Sequence, residues 1–258
     1  MRTERLVARG WPLPLAWLAL QLLLLCLGLM SLVWNLVALL LYPLLPRALG
    51  LRVGRAGIAW GYRLFWALAR ATGLLHMDAG ALRPLADERG LLIVANHPSL
   101  LDAMMLAAML PRSACLMKAS LMRNPLLAPG ARLARYIRNN TPHQMMHLAI
   151  DDLRAGGQLI LFPEGTRTTR APLNPFLGGF ALIARRAGVP VQTVFIDTTS
   201  PYLGKGWPLW RLPPIPIEFT ARLGRRFEIG ADLAASVQEI ERYMAAGVRT
   251  PPPRQAQS

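Results

Sequence analysis

The stretch "LLIVANHPSLLD", residues 91–102, joins an apolar run to an abrupt polar ending. The run predicts a buried strand that stops at Asn96 and His97. Asp102 follows a Pro-Ser turn and lies in the first turn of a predicted helix. A buried strand that ends in a histidine, with a carboxylate close behind it, indicates either a catalytic pair or a capped helix beside a structural histidine.

Both interpretations of His97 and Asp102 stay open on spacing alone. If the chain folds back between them, the carboxylate accepts a hydrogen bond from one ring nitrogen and leaves the other nitrogen basic. In the second interpretation, Asp102 caps the helix and His97 satisfies buried backbone groups, because structural His–Asp pairs are common.

A second apolar strand also ends in polar chemistry, in "LILFPEGTRTTR", residues 159–170. Glu164 opens the turn, Gly165 permits a tight backbone, Thr166 offers a hydroxyl and Arg167 offers a fork for phosphate. Two strand ends that carry complementary polar groups favour the catalytic interpretation over the structural one.

Apolar runs alternate with helix-like runs after residue 90. Strands are predicted at 91–95, 114–118, 158–162, 190–196 and 216–223, and helices at 100–110, 125–138, 143–155, 176–187 and 232–246. This alternation predicts an α/β domain with a mainly parallel sheet flanked by helices. In such sheets the functional groups gather at the carboxyl ends of the strands.

A long uncharged segment runs from Trp11 to Pro46, with arginines on both sides. Its core, residues 15–42, would be about 42 Å long as one helix, against about 30 Å of bilayer hydrocarbon. It therefore spans with tilt or bends into a hairpin within one leaflet. The run is too long for a signal peptide and lacks a cleavage site after it. The flanking arginines leave its orientation open.

Three further segments complete the domain organisation. Residues 55–75 place apolar side chains at helical spacing among aromatics and arginines, which predicts an interfacial amphipathic helix, with an ordinary core helix as the alternative. We therefore predict a membrane-binding unit at 1–75, a catalytic domain at 76–248 and a disordered tail at 249–258. Residues 200–214, rich in Pro, Gly and Trp, are a predicted loop that could lie against the interface.

Composition narrows the class of partner. The formal net charge is +15, and Lys118 and Lys205 are the only lysines, so nearly all positive charge is arginine. Arginine suits phosphate and carboxylate recognition, and this charge attracts anionic lipids, acidic carrier proteins, nucleotide-bearing substrates or nucleic acid. The hydrophobic fraction of 53% favours a membrane over nucleic acid. The two cysteines form no disulfide framework or zinc motif.

Taken together, these stretches resemble the glycerolipid, or lysophospholipid, acyltransferase family. Its members carry N-H-x-x-x-x-D at one strand end and F-P-E-G-T-R at another, in this order. Asn96-His97 with Asp102 matches the first motif, and residues 162–167 match the second. Val189-Pro190-Val191 resembles the later V-P-V strand of the family. The resemblance covers about residues 85–225.

This resemblance implies a membrane-bound O-acyltransferase that works without an acyl-enzyme. The acyl group would move from acyl-CoA or acyl-carrier protein to a lysophospholipid, foremost 1-acyl-sn-glycerol-3-phosphate, which gives phosphatidic acid. His97, oriented by Asp102, would take the proton of the acceptor hydroxyl. No metal or other cofactor and no nucleic-acid partner is implied, and we expect the inner or plasma membrane with the catalytic domain on the cytoplasmic side. The residues expected to bind substrate are Asn96, Glu164, Gly165, Thr166, Arg167, Arg138 and Lys118.

The chain also departs from the family pattern in ways that leave the acceptor open. Where the family usually has G-x-x-x-I-D-R, this chain has "RYIRNNT", residues 135–141, with Arg138 as the candidate phosphate ligand and Asn139 and Asn140 in place of the acid and base. A lyso-ornithine lipid, a glycolipid or another specialised lipid is therefore an alternative acceptor. A noncatalytic lipid-binding membrane protein is the alternative from another class.

Overall fold

The computed structural model of the protein describes residues 12–118, 128–139 and 141–248. The predicted tail at 249–258 and Asn140 lie outside the described residues, as do the first eleven residues of the predicted membrane-binding unit.

Seven strands form one sheet in the order β1-β7-β6-β2-β5-β3-β4. Strands β6, β2, β5, β3 and β4 run parallel, whereas β7 runs antiparallel to β6 and β1 runs parallel to β7. This confirms the predicted mainly parallel sheet. The strands are β1 Leu75–Asp78, β2 Leu91–Ala95, β3 Ser113–Lys118, β4 Ile137–Asn139, β5 Gln158–Leu161, β6 Val191–Thr198 and β7 Ile217–Phe227.

Helices cover both faces of the sheet, because alternate residues of each buried strand point to opposite sides. In β2, Ile93 packs with the helices α1, α2 and α3, whereas Val94 packs with α5, α6 and α7. A 3-10 helix, Gly80–Leu85, precedes β2. The α-helices are α1 Leu13–Leu44, α2 Arg47–Thr72, α3 Leu101–Met109, α4 Ala128–Leu133, α5 Pro142–Arg154, α6 Gly179–Ala187 and α7 Leu233–Gly247.

One predicted element is wrong in part. The helix predicted at 125–138 ends at Leu133, and Arg135 takes a left-handed backbone with φ of 54°. That conformation stops a right-handed helix, and Ile137–Asn139 then pairs with the end of β3 as the edge strand β4. Strand β1 was not predicted, because it has only four residues and two of them are polar.

Helix α1 is unbroken from Leu13 to Leu44, so the hairpin within residues 15–42 is not formed. It is the one helix in the described part of the chain that is long and apolar enough to cross a membrane. One side packs on the domain, and Asn35 Oδ1 there accepts a 2.8 Å hydrogen bond from Gly130 N. The buried residues of this side are Ala16, Leu20, Leu23, Asn35 and Ala38. The opposite side exposes a row of leucines and Val33.

Helix α2 has two apolar faces. It therefore has features of both alternatives for residues 55–75, the interfacial helix and the core helix. Its inner face buries Phe65 and Trp66 in the core between α1 and the sheet. Its outer face exposes Trp60, Leu64 and Leu68, which belong to the apolar stripe of the sequence. The residues predicted as the interfacial stripe therefore point outward, away from the core.

Close packing of α2 on the connection before β4 depends on Gly54. A Cβ at this position would meet the backbone of Leu133 and Ala134, which cannot move aside as a flexible side chain would. We expect Gly54→Ala to destabilise the protein by about 1–3 kcal/mol through overpacking. Thermal and denaturant unfolding in detergent measures the change.

Gly61 supplies the matched control in the same helix, since a Cβ there meets nothing within 4 Å. Gly61→Ala should stabilise by about 0.5–1 kcal/mol because alanine favours the helix. Equal effects of the two substitutions would contradict the packing of α2 described above.

Candidate active site

The two motif-bearing turns lie side by side because β2 and β5 are parallel neighbours. Val94 of β2 is in register with Leu161 of β5, and each strand ends within a residue of that pair. The backbone N–H of Thr168 donates to the carbonyl oxygen of His97 at 2.8 Å. The turns after these strands therefore form one polar site at the carboxyl edge of the sheet.

Asp102 holds His97 in a fixed orientation. His97 Nδ1 lies 3.0 Å from Asp102 Oδ2, and the same oxygen accepts a 2.7 Å hydrogen bond from Ser99 N. The imidazole stacks on Phe162, with ring centroids 3.9 Å apart and planes inclined by 15°. Nε2 makes no hydrogen bond to any described residue. This arrangement presents one ring nitrogen as a proton acceptor while the other is engaged by the carboxylate.

Burial sets the electrostatics of this pair. Asp102 is fully buried, and its Oδ1 has no hydrogen-bond partner among the described residues. Desolvation disfavours the charged carboxylate and raises the pKa of Asp102 to about 6, against the opposing effect of the hydrogen bond and charge of His97. The carboxylate is therefore ionised near neutral pH only while it is partnered by the imidazole and the Ser99 amide.

Glu164 fastens the two turns together. Its Oε1 accepts from the backbone N–H of His97 at 3.0 Å and from Thr168 Oγ1 at 2.7 Å, and its Oε2 accepts from Asn174 N at 2.9 Å. The side chain is 6% exposed. A buried carboxylate with three donors is a positioning group, because its oxygens are already occupied by the protein.

Arg167 lies on the same turn but is partly engaged by the loop that follows β6. Its Nη1 donates to the carbonyl oxygens of Leu203 at 2.8 Å and Gly204 at 3.1 Å. Neither Nε nor Nη2 bonds to a described residue, so one side of the guanidinium fork is available to an anion. Thr166 also lies half-buried without a hydrogen bond to the described residues.

Gly165 makes this turn possible. Its φ of 67° lies in the left-handed region that favours glycine, and a Cβ would collide with the side chain of Leu177. Leu177 is 63% exposed, and Leu100, directly after the Pro-Ser turn, is 54% exposed. The polar turn is therefore rimmed by exposed leucines, an arrangement that suits an amphipathic substrate.

The other predicted binding residues lie elsewhere. The amide of Asn96 both accepts from Ile196 N at 2.7 Å and donates to Ile196 O at 2.8 Å, so it ties β2 to β6. Lys118 ends β3, and its side chain lies outside the described part of the structure. Arg138 is exposed on β4, three strands from β2, or about 14 Å at ordinary strand spacing. Asn96 thus has a structural role, whereas Arg138 lies at the far end of the same edge.

Two potential nucleophiles of the domain, Ser99 and Cys115, are held in unreactive states. The Ser99 hydroxyl is fully buried and donates to the carbonyl oxygen of Tyr202 at 2.9 Å rather than to His97. Burial raises the pKa of the Cys115 thiol to about 12, which keeps it protonated at neutral pH. Neither group is therefore available as a nucleophile beside His97.

Sequence reasoning missed the groups that hold the second turn in shape. Asn174 Oδ1 accepts from Thr169 N, Thr169 Oγ1 and Arg170 N, and its Nδ2 donates to Arg167 O. Nothing in the local sequence marks Asn174, because its partners are backbone groups brought together only by the folded loop. Nothing in the local sequence marks the carbonyl groups of Leu203 and Gly204 as partners of Arg167 either.

Known proteins are similar to the part of the chain that contains this site. A family model described as Acyltransferase matches residues 78–197, which contain both motif turns. Over these residues, which are just under half of its length, the chain is similar to the acyltransferase family. The crystal structure of the 1-acyl-sn-glycerophosphate (LPA) acyltransferase PlsC from Thermotoga maritima shares the fold, with a TM-score of 0.68 at 20% identity over 96% of this chain and 97% of that one.

Curated acyltransferases are also similar in sequence. A lyso-ornithine lipid O-acyltransferase of Pseudomonas aeruginosa is 32% identical over 151 residues, which cover 54% of this chain and 58% of the relative. A 1-acyl-sn-glycerol-3-phosphate acyltransferase of Cocos nucifera is 25% identical over 196 residues, which cover 73% of this chain and 61% of the relative. The chain thus spans about three-fifths of the length of these two relatives.

The raised pKa of Asp102 predicts a pH-dependent stability. Between the ordinary value of 3.8 and about 6, the folded protein binds a proton that the unfolded chain releases, so the free energy of unfolding falls as pH rises through this window. We expect Asp102→Asn to be more stable than wild type above pH 6, because an amide has no charge to desolvate, and to lose this advantage towards pH 4. Denaturant unfolding at a series of pH values measures the difference, and a difference independent of pH would contradict the buried carboxylate.

Proposed function

We propose that the chain is a membrane-associated O-acyltransferase that moves a fatty acyl group from acyl-CoA or acyl-carrier protein to a hydroxyl group of a lysolipid. The observation that carries the proposal is the imidazole of His97, which is held by buried Asp102 and presents Nε2 beside the turn that contains Arg167. The net charge of +15 suits both donors, because CoA and acyl-carrier proteins are anionic.

In the proposed mechanism His97 is first a base and then an acid. Nε2 takes the proton of the acceptor hydroxyl as its oxygen attacks the thioester carbonyl carbon, and Asp102 stabilises the imidazolium that forms. The tetrahedral adduct then collapses, which breaks the carbon–sulfur bond. The imidazolium returns its proton to the departing sulfur, so the products are an ester and a free thiol, and His97 is regenerated without an acyl-enzyme.

For the acceptor we propose 1-acyl-sn-glycerol-3-phosphate, which would become phosphatidic acid. The available side of the Arg167 guanidinium suits a phosphate group, and several relatives carry that activity in their names. Lyso-ornithine lipid is the second candidate, favoured by the Pseudomonas aeruginosa relative and by Asn139 in place of the expected acid. Its carboxylate would occupy the same arginine fork.

We further propose that α1 lies within one leaflet, with its leucine row in lipid. Its packed side extends from Ala16 to Ala38, about 33 Å along the helix. This length slightly exceeds the hydrocarbon core of a bilayer, about 30 Å, so a perpendicular α1 would draw the charged domain into the membrane. A helix that lies along the interface leaves the carboxyl edge of the sheet at the lipid surface, on the cytoplasmic side if the donor is cytoplasmic.

Replacement of the base tests the mechanism. We expect His97→Ala to lower kcat by about 10³-fold or more, because the variant lacks the group that takes the hydroxyl proton in the proposed mechanism. His147→Ala is the matched control, since His147 is an exposed histidine on α5, and it should keep wild-type turnover. Release of free thiol and formation of labelled product are followed together. Wild-type turnover by His97→Ala would disprove the proposed base.

Identity of the acceptor is tested with a panel of lysolipids. Purified protein is incubated with labelled acyl-CoA or acyl-carrier protein and one acceptor at a time, and the product is identified by mass. We expect the highest kcat/KM with 1-acyl-sn-glycerol-3-phosphate, and Arg167→Gln should raise its KM about tenfold or more by the loss of a charged hydrogen bond. Exclusive transfer to lyso-ornithine lipid would favour the second candidate, and vesicle binding without any transfer would favour a noncatalytic lipid-binding protein.

A further inference from the structure

Residues 200–214, here called the Trp loop, join α1 to the candidate active site. The loop leaves β6 at the carboxyl edge of the parallel strands and returns there to start β7, because β7 is antiparallel to β6. It therefore lies on the same edge as His97 and Arg167. One set of hydrogen bonds joins the loop to α1. Another set joins it to the turns after β2 and β5, here called the catalytic turns.

Contacts with α1 hold the tip of the Trp loop at the apolar helix. Trp17 Nε1 donates to Trp210 O at 2.7 Å, and Gln21 Nε2 donates to Leu209 O at 3.0 Å. These bonds use only backbone oxygens of the loop, so the two loop side chains stay outside: Leu209 is 54% and Trp210 75% exposed. The apolar row of α1 continues next to them with Leu18.

Contacts with the catalytic turns come from the first part of the same loop. The carbonyl oxygen of Leu203 accepts from Leu100 N at 3.1 Å and from Arg167 Nη1 at 2.8 Å, and Ser99 Oγ donates to Tyr202 O. Leu203 takes a left-handed backbone with φ of 55°, a conformation that residues other than glycine rarely adopt. That conformation aims one carbonyl group at both turns.

The composition of the tip matches a lipid interface rather than water. Trp210 and Trp207 stand beside the cations Lys205 and Arg211, and the Arg211 guanidinium lies 5.0 Å from the ring centroid of Trp207. Tryptophan with adjacent Lys or Arg is the combination that sits at the headgroup level of a bilayer, and the cations favour anionic lipids. Hydrogen bonds from Trp17 and Gln21 hold this surface against α1, whose leucine row we propose lies in lipid.

We propose that Leu209 and Trp210 insert into an anionic phospholipid interface beside α1, and that this contact fixes the Leu203 and Gly204 carbonyl groups that hold Arg167. The Trp loop is thus a second lipid contact that links membrane binding to the geometry of the acceptor site. The first half of this proposal, insertion of the loop into lipid, is independent of catalysis. The second half, the link between this contact and the acceptor site, rests on the proposed function.

Lipid insertion is tested by fluorescence quenching with vesicles of phosphatidylglycerol and brominated phosphatidylcholine. The contribution of Trp210 is the difference between wild type and Trp210→Phe, and we expect the brominated chains to quench it. Leu148→Trp supplies the matched control, because Leu148 is a 48% exposed leucine on α5, on the other face of the sheet. Its added fluorescence should not be quenched. Quenching of the control but not of Trp210 would overturn the lipid contact.

Coupling to the acceptor site is tested by kinetics of the double variant Leu209→Ser/Trp210→Ser. We expect the apparent KM for lysolipid presented in vesicles to rise at least about fivefold, with less than about twofold change for a short-chain monomeric lysolipid. Leu148→Ser should change neither value. Thermal unfolding checks that the double variant is folded. If the double variant does not fold, the single variant Trp210→Ser is used in its place.

The outcomes separate the two halves of the proposal. Quenching of Trp210 with unchanged vesicle kinetics in the variants would overturn the coupling, and a fluorescence change caused by acyl-carrier protein, without quenching by brominated lipid, would overturn the lipid assignment. If the wild-type protein transferred acyl groups to no lysolipid, the proposed function would fail while the quenching result still decided the lipid contact.

Discussion

The geometry of the candidate site depends on one buried carboxylate, that of Glu164. The turns after β2 and β5 each contain the groups that chemistry requires, but parallel strands fix only where these turns begin. Glu164 accepts hydrogen bonds from the His97 backbone and from Thr168 and Asn174, so it closes the gap between the turns. Because buried carboxylates demand partners, each of these donors keeps the others in place.

Because of this constraint, the polar residues of the site have different roles. Asp102 orients the imidazole, Glu164 locks the two turns, and Asn96 ties β2 to β6, all with buried side chains. Nε2 of His97 and part of the Arg167 guanidinium make no hydrogen bond within the described residues, and we propose that they bind substrate. Charged groups that are fully engaged by the protein shape the site, and the few that stay available provide the chemistry that we propose.

Much of this arrangement could be predicted from the sequence, and for a physical reason. The apolar runs at residues 91–95 and 158–161 are long enough to specify buried strands, and their polar endings then must meet at one edge of a parallel sheet. By contrast, β4 was predicted as helix, because the left-handed turn at Arg135 and the pairing with β3 are decided by tertiary contacts. The roles of Asn174 and of the Leu203 carbonyl group could not be predicted from the sequence either, because their partners are brought together only by the fold.

The protonation state of His97 is the most direct test of the central claim, that Asp102 holds this imidazole as a base. The chain has four histidines, so nitrogen NMR of histidine-labelled protein, with His97 assigned by comparison with His97→Ala, resolves the ring. In the neutral ring we predict a proton on Nδ1, towards Asp102, and none on Nε2. A neutral ring with its proton on Nε2 would contradict it, because that nitrogen could not then accept the proton of an acceptor hydroxyl.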